Sequence, residues 1–225
     1  MKKKHIAVIA ALAGLAVWIG STTLAQRQQR KLADAFPAKL LVSPKSCATP
    51  KWPGEARRYE IEGISLLTFR IAPEGHVEEA HVVQSSGWEI LDDAAIESLV
   101  KCKFKPGLEE AEHHDIFPIQ FVWTMTGSPP MRPALVEGSC VQSDRFAGFK
   151  TFDRSATDAT GMLVRLLVEP DGTPKGVKAE SSGRDAALGQ LVEEYVQSCK
   201  FVVDPSLKGE QTDTTFGRVI YKPTS

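Results

Sequence analysis

The sequence lacks the short motifs that mark most enzyme families. No Gly-x-Ser-x-Gly elbow surrounds Ser85-Ser86-Gly87 or Ser181-Ser182-Gly183, and no glycine-rich phosphate loop or dinucleotide fingerprint is present. The last of the five histidines is His114, so the rest of the chain holds no histidine that could serve as a base. We therefore expect no enzyme activity, no catalytic residues and no cofactor, and interpret the two serine pairs as caps where strands end.

The spacing typical of zinc sites is also missing, because no Cys-x-x-Cys pair occurs. The one dense cluster of potential ligands is Glu112-His113-His114-Asp115. Imidazole and carboxylate groups bind zinc or copper, but adjacent histidines on a strand point to opposite faces, and this cluster falls in a predicted loop. We expect a solvated loop there and no metal site.

An excess of positive charge is absent as well. The formal net charge is -1, and the first 25 residues contain three of the 27 basic residues and none of the 28 acidic ones. The remainder therefore carries a net charge of -4. Proteins that bind nucleic acids present a basic surface, so this class of function is excluded.

One long apolar run is present, and it lies at the N-terminus. Lys2, Lys3 and Lys4 precede the apolar and glycine residues Ile6–Gly20, which lead into a short polar stretch ending at Ala25. This pattern predicts a signal peptide over residues 1–25, cleaved near Ala25. The alternative is an uncleaved membrane anchor, since Ile6–Ala25 carries no charge and is just long enough to span a bilayer. Both interpretations place the rest of the chain outside the cytoplasm.

A pattern of features occurs twice, at a spacing of about 97 residues. The matching pairs are Gly63 and Gly161, Pro73 and Pro170, Gly75 and Gly172, Ser85-Ser86-Gly87 and Ser181-Ser182-Gly183, and Cys102-Lys103-Phe104 and Cys199-Lys200-Phe201. Such self-similarity indicates an internal repeat. We predict two small domains, at 45–126 and 140–225, with linkers at 26–44 and 127–139.

Each copy shows the order strand, strand, helix, strand. The predicted strands are Ile64–Ile71, Val77–Gln84 and Ile116–Met125 in the first copy, and Met162–Val168, Val177–Glu180 and Thr214–Tyr221 in the second. The predicted fold class is α+β, with two tandem two-layer ββαβ domains, each a three-stranded antiparallel sheet covered by one helix. Leu91, Ala95, Leu99 and Cys102 form the apolar stripe of the first helix, widened by Ile96 and Val100. The last strand is expected to be an open edge that can pair with an extended peptide.

Four cysteines in an exported chain indicate disulfides, and four allow three pairings. The repeat selects Cys47–Cys102 and Cys140–Cys199, one bridge for each copy. Each bridge closes a loop of nearly 60 residues, worth roughly 4 kcal/mol on the loop-entropy model. Four free buried thiols are the alternative. Trp52, Trp88 and Trp123 are candidates for a cluster, with Trp52 expected in the core and Trp123 left open between core and partner surface.

The first copy resembles the C-terminal domain of the TonB energy-transducer family from Cys47 to Met125. The similarity is carried by Trp52-Pro53, Ala56-Arg57, Ile61-Glu62-Gly63, Pro73-Glu74-Gly75-His76-Val77, Val83-Gln84-Ser85-Ser86-Gly87, Leu91-Asp92-Asp93-Ala94-Ala95-Ile96 and Phe104-Lys105-Pro106. The second copy, from Cys140 to Pro223, looks like a diverged relative of the first.

The resemblance implies a periplasmic protein, free or anchored in the inner membrane, that takes part in transmembrane transport. Its partner is then a periplasmic segment of an outer-membrane transporter or of another envelope protein. That segment pairs with the last strand, at Ile119, Gln120, Phe121, Val122 and Trp123. The chain lacks the long proline-rich spacer of the family, which favours binding over energy transduction. The alternative is a disulfide-stabilised periplasmic scaffold or inhibitor with no energy-transducing role.

Overall fold

A computed structural model describes residues 35–47, 49–107, 115–127, 130–153, 161–180, 185–206 and 208–221. The predicted signal peptide or anchor lies outside these residues, as do His113, His114 and Ser181-Ser182-Gly183. No helix within the described ranges is long and apolar enough to cross a bilayer. In the same ranges, no three His, Cys, Asp or Glu side chains gather at one potential metal site.

The chain divides into two compact units, each built from several segments. The described residues of Met1–Lys51, Ile64–Ser85 and Asp93–Val122 form unit 1, and those of Trp52–Gly63, Ser86–Asp92 and Trp123–Ser225 form unit 2. The domain boundaries inferred from the repeat stay a prediction.

The sheet of unit 1 has three strands in the order β2-β1-β3. These are β1 (Gly63–Ile71), β2 (Val77–Gln84) and β3 (Phe117–Trp123), and β1 and β2 form an antiparallel hairpin. Every second side chain of β1 is buried, because one face of the strand faces the core: Leu67, Phe69 and Ile71 are at most 1% exposed. The predicted three-stranded sheet is confirmed here, although β3 is two residues shorter at its C-terminal end than the sequence suggested.

Two helices precede and follow the hairpin. Helix α1 (Gly54–Arg58) precedes it, and helix α2 (Glu89–Leu99) follows it where the predicted apolar stripe begins. The predicted apolar stripe of α2 is buried, with Leu91, Ala95 and Leu99 fully covered. Val100 does not widen it, because it lies just beyond the helix and is 43% exposed.

Unit 2 contains a larger sheet, in the order β6-β11-β7-β8. Its strands are β6 (Phe149–Asp153), β7 (Met162–Val168), β8 (Pro174–Ala179) and β11 (Thr214–Tyr221). Helix α3 (Ala186–Gln197) buries Val192, Tyr195 and Val196 in the core of this unit. Two-residue strands form two further pairs: β4 (Pro130–Met131) with β10 (Glu210–Gln211), and β5 (Ala134–Leu135) with β9 (Phe201–Val202). Single 3-10 turns occur at Ala38–Leu40 in unit 1 and Asp144–Phe146 in unit 2.

The prediction of a three-stranded second sheet with an open last strand is wrong. Strand β6 pairs antiparallel with β11 on the side opposite β7, so β11 has a neighbour on both sides. The ring of Phe152 is 7% exposed and meets the ring of Phe201 edge-on at 5.5 Å. Burying this ring while pairing the backbone of β11 stabilises the fourth strand.

The same hairpin geometry occurs in both units. Arg70 pairs with Glu78 in unit 1, and Leu167 pairs with Lys175 in unit 2. Each residue of the second pair lies 97 positions after its counterpart in the first pair. Each second strand then carries one extra residue, a bulge, at the same place in the register. The residues with positive φ at the two bulges are Glu79 and Gly176, again 97 apart.

The turn glycines also hold equivalent positions. The N–H of Phe104 donates to the carbonyl of Gly75 at 2.8 Å, and that of Phe201 donates to Gly172 at 2.9 Å. Both glycines have positive φ, and a Cβ on either would stand 2.1 or 2.3 Å from the carbonyl oxygen of that phenylalanine. Only glycine fits such a position, which explains why the sequence repeats it.

Both predicted disulfides are present: Cys47–Cys102 and Cys140–Cys199. The equivalence extends upstream of each first cysteine, because Val42 donates to Lys103 and Val136 donates to Lys200 through the backbone. Two dipeptides that recur in the sequence mark these equivalent positions, and the predicted repeat did not include them. They are Leu41-Val42 and Ser46-Cys47, which recur as Leu135-Val136 and Ser139-Cys140.

Candidate functional site

The predicted peptide-binding residues lie on β3, the edge strand of unit 1. Phe121 and Trp123 are buried, at 8% and 3% exposure, whereas Val122 between them is 50% exposed. Ile119 and Gln120 are half-buried. Among the described residues, no strand pairs with the edge of β3 that faces away from β1. Within the described part of the chain, this side of β3 is therefore an edge of the sheet.

An aromatic cluster fixes β3 against the core of unit 1. The ring of Phe117 lies 5.8 Å from that of Phe69 on β1, which stacks in turn on Phe104 at 5.8 Å. Phe36 completes the cluster, with its ring 6.1 Å from Phe69 and 6.4 Å from Phe104. These ring contacts hold β3 in place through its inward side chains.

The C-terminal end of β3 is held by a second set of contacts. Trp123 meets Trp52 edge-on at 6.1 Å, and the N–H of Met125 donates to the carboxylate of Glu62. Trp88 instead packs edge-on against Phe216 at 5.6 Å, so it joins a different contact. Trp123 is part of the core, which settles the question the sequence left open.

In unit 2, β11 comes after helix α3 and Cys199, just as β3 comes after helix α2 and Cys102. Arg218 pairs with Asp153, Val219 with Phe152 and Tyr221 with Phe149, so β6 covers the C-terminal half of one side of β11. Phe149 of β6 stacks on Tyr195 of α3 with ring centroids 5.2 Å apart. Unit 2 thus shows how a strand adds to this kind of edge.

The residues of β3 and β11 can be matched through the strand beside them. In unit 2, Thr215 pairs with Leu166, and in unit 1, Phe117 contacts Phe69, which lies 97 residues before Leu166. Alternate residues then face the core in both strands. If the Phe117–Phe69 contact is taken as the counterpart of the Thr215–Leu166 pair, Phe117 corresponds to Thr215, Ile119 to Gly217, Phe121 to Val219, and Trp123 to Tyr221.

The other outer strand of unit 2, β8, has backbone groups that side chains already occupy. The N–H of Ala179 donates to Glu193 at 2.9 Å, and the carbonyl of Gly176 accepts from the Tyr59 hydroxyl at 2.7 Å. The carbonyl of Pro174 accepts from Gln197. Groups satisfied in this way are not free to pair with a further strand.

A buried arginine in β7 was not anticipated from the sequence. Arg165 is 8% exposed and forms ion pairs with Glu55, at 2.8 Å, and with Glu180. Its guanidinium also lies over the rings of Tyr59 and Trp88, at 5.4 and 6.0 Å from their centroids. The two carboxylates and two rings compensate for the lost hydration of the charge.

A second buried arginine, Arg132, is 7% exposed. It donates to the Thr214 hydroxyl at 2.6 Å and to the carbonyl of Glu60 at 3.0 Å, and lies 5.0 Å from the centre of the Phe216 ring. Glu60 has φ 50° and lies two residues beyond the end of helix α1, where its N–H and that of Ile61 donate back to carbonyls of the helix. A glycine is usual at this position, and the contacts of Glu60 offset the strain.

An exposed ion pair adds to this set. Arg58 donates two hydrogen bonds to the carboxylate of Asp213, at 2.7 and 3.1 Å. These bonds hold the pKa of Asp213 below its usual value. The pair therefore stabilises the fold at neutral pH, and that contribution is lost as acidification protonates Asp213. Both side chains are about half exposed, so the effect on stability is small.

Unit 2 also contains an open cleft of about 1050 Å³. Its lining includes Arg58 and Asp213, the turn around Asp171, and the apolar residues Met131 and Phe201. The charged groups there pair with one another, as Lys175 does with Glu169 at 3.0 Å.

Residues 48–123 match the family described as Gram-negative bacterial TonB protein C-terminal. This range contains α1, β1, β2, α2 and β3, and it confirms the resemblance inferred for Cys47–Met125. No curated protein was found that matches the chain. The match covers about a third of the sequence. It supports a TonB-like protein of the cell envelope, a family whose members bind envelope proteins or take part in transport.

Proposed function

We propose that this protein binds an extended segment of a partner protein by adding it as a fourth strand to the edge of β3. The observation that carries the proposal is the contrast between the two sheets. The side of β11 away from β7 holds β6, whereas the matching side of β3 is paired with no strand of the described chain.

The chemistry of the edge supports this role. An edge strand offers alternating N–H and C=O groups to any extended backbone, and the resulting hydrogen bonds supply affinity without a preformed pocket. Burial of Phe121 and Trp123 keeps β3 in place before a partner arrives, so little ordering of the strand is needed on binding.

The family resemblance supports a partner among the proteins of the cell envelope. We propose a periplasmic segment of an outer-membrane transporter, bound by a protein that is exported to the periplasm or anchored in the inner membrane. The second half of the chain is then a diverged copy of the same domain, from Cys140 to Pro223. Its edge is closed by its own strand, so the first copy carries the binding function.

A scaffold or inhibitor role with no part in energy transduction is the second candidate. It is favoured by unit 2, where the last strand is covered and Arg132 and Arg165 are locked into buried networks. In this case unit 2 supplies a rigid surface and the edge of β3 has no partner.

Titration with synthetic peptides from the periplasmic N-terminal segments of outer-membrane transporters separates the two. We expect amide chemical shifts to change along Ile119–Trp123 and to stay constant along Thr214–Tyr221. Two versions of each peptide, N-methylated at odd or at even residues, form a matched pair. Only one side of an added strand bonds to the sheet, so one version should lose binding and the other keep it. Equal binding by both, or no shifts along β3, would count against strand addition.

A further inference from the structure

The inward face of β3 carries a side chain, Ile119, where β11 has Gly217, and this difference bears on which strands β3 can accept. The inference rests on the proposed function. We propose that β3 accepts a strand whose inward-facing residue opposite Phe121 is small, such as glycine, alanine or serine, and rejects a strand with an aromatic residue there. Ile119 is the residue that sets this selectivity, and Phe36 supports it.

Unit 2 shows what an aromatic residue requires at this place. Phe152 lies opposite Val219, and its ring extends along the inward face over Gly217. Three ring carbons lie 2.8 to 3.1 Å from the point where a Cβ on Gly217 would stand. Any side chain at 217 would therefore displace the ring.

Unit 1 has a side chain at the matching position. Ile119 replaces Gly217 on the inward face of β3, and it is half-buried. A β-branched side chain fills the space beside Cβ in every rotamer, so a ring from an incoming strand cannot lie there.

In unit 1, a ring of the same chain already makes the contact that Phe152 makes in unit 2. Phe152 meets Phe201, and the matching residue Phe104 meets Phe36, at 6.4 Å. Phe36 comes from the segment before the first cysteine rather than from an added strand. An incoming ring would thus find its space occupied by Ile119 and its aromatic partner engaged by Phe36.

This arrangement has a consequence for self-association. The chain carries its own added strand, β6, with the sequence Phe-Lys-Thr-Phe-Asp. A β3 edge that accepted it would allow one copy of the chain to insert β6 into another copy. Rejecting an aromatic residue at this position works against that exchange while keeping the edge open to other strands.

Two synthetic peptides test the inference. One has the sequence of residues 148–154, and the other differs by the single change Phe152→Ala. Binding to the whole chain is measured from amide shifts of Ile119–Trp123. We expect the alanine peptide to bind at least tenfold more tightly than the phenylalanine peptide. In the Ile119→Gly variant we expect this ratio to fall to about one or to invert. Val83→Gly, an exposed change on β2, should leave the ratio as it is.

The outcomes separate this inference from the proposed function. Equal binding of both peptides to the unaltered chain overturns the selectivity but leaves strand addition intact, as does an unchanged ratio in Ile119→Gly. Absence of shifts along β3 with these peptides and with the transporter peptides overturns the proposed function itself. If Ile119→Gly does not fold, Ile119→Ala replaces it, and its ratio should fall in the same direction.

Discussion

Replacing Arg165 by methionine is expected to lower the free energy of unfolding by roughly 3–5 kcal/mol, the usual cost of removing one partner of a buried ion pair. The reason is the state of the carboxylate left behind. The Glu180 side chain is only 14% exposed and pairs directly with Arg165, so the variant would bury a negative charge without its cation. Denaturant unfolding, followed by circular dichroism at neutral pH, measures the change.

Two further variants serve as controls for Arg165→Met. Arg58→Met removes an exposed ion pair from the same unit and should cost no more than about 1 kcal/mol. Arg165→Met combined with Glu180→Leu removes both buried charges and should recover most of the loss. An Arg165→Met variant as stable as Arg58→Met would show that the buried charges contribute nothing.

Gly75→Ala is expected to destabilise the protein by about 3 kcal/mol or more, well above the cost of strain alone. Gly75 has φ 85°, and the added Cβ would stand 2.1 Å from the Phe104 carbonyl oxygen. The hairpin turn or the segment after the helix must then move, which breaks the hydrogen bond from Phe104 to Gly75. Thermal or denaturant unfolding measures the effect.

Gly107→Ala is the matched control, because Gly107 has nearly the same φ, 82°, and no atom within 4 Å of an added Cβ. This variant introduces the conformational strain without the clash and should cost about 1 kcal/mol. The difference between the two variants isolates the close contact of the turn. Equal losses would mean that the contact between Gly75 and Phe104 is not present in solution.

Several elements were predictable from the sequence, although β8 begins three residues before the predicted Val177–Glu180 and ends one residue earlier. Strands β2, β7 and β11 begin and end where predicted, since glycines and prolines mark their turns and alternating apolar residues mark their faces. The two disulfides followed from the repeat as well. Local patterns sufficed for these elements, because turn residues mark their ends and alternating apolar residues mark their buried faces.

Strand β6 was missed because its stability is not local. Phe149–Asp153 is short and lies between polar segments, and what makes it a strand is pairing with β11, more than 60 residues further along the chain. Arg165 was missed for a related reason. It stands in an apolar strand, but its partner Glu55 lies 110 residues earlier, and no short-range pattern joins them.

The sequence was sufficient to predict that the candidate site is a strand. It was not sufficient to predict which kind of partner strand the edge of β3 would accept. The sequence placed Ile119–Trp123 on the last strand of a small sheet. Which of these residues face the core, and that Ile119 stands where unit 2 has Gly217, depended on the pairing of β7 with β11 and on the contact of Phe69 with Phe117.

Residue-resolved hydrogen exchange of the whole oxidised chain, without any peptide, is the most direct test of the open edge. In an antiparallel strand, successive amides point to opposite sides. Along β3, we expect every second amide to exchange nearly as fast as a loop amide, because no strand of the described residues pairs with the side that faces away from β1. At Arg218 and Val219, which pair with a strand on each side, both amides should be protected. Uniform protection along β3, equal to that of β11, would contradict the account.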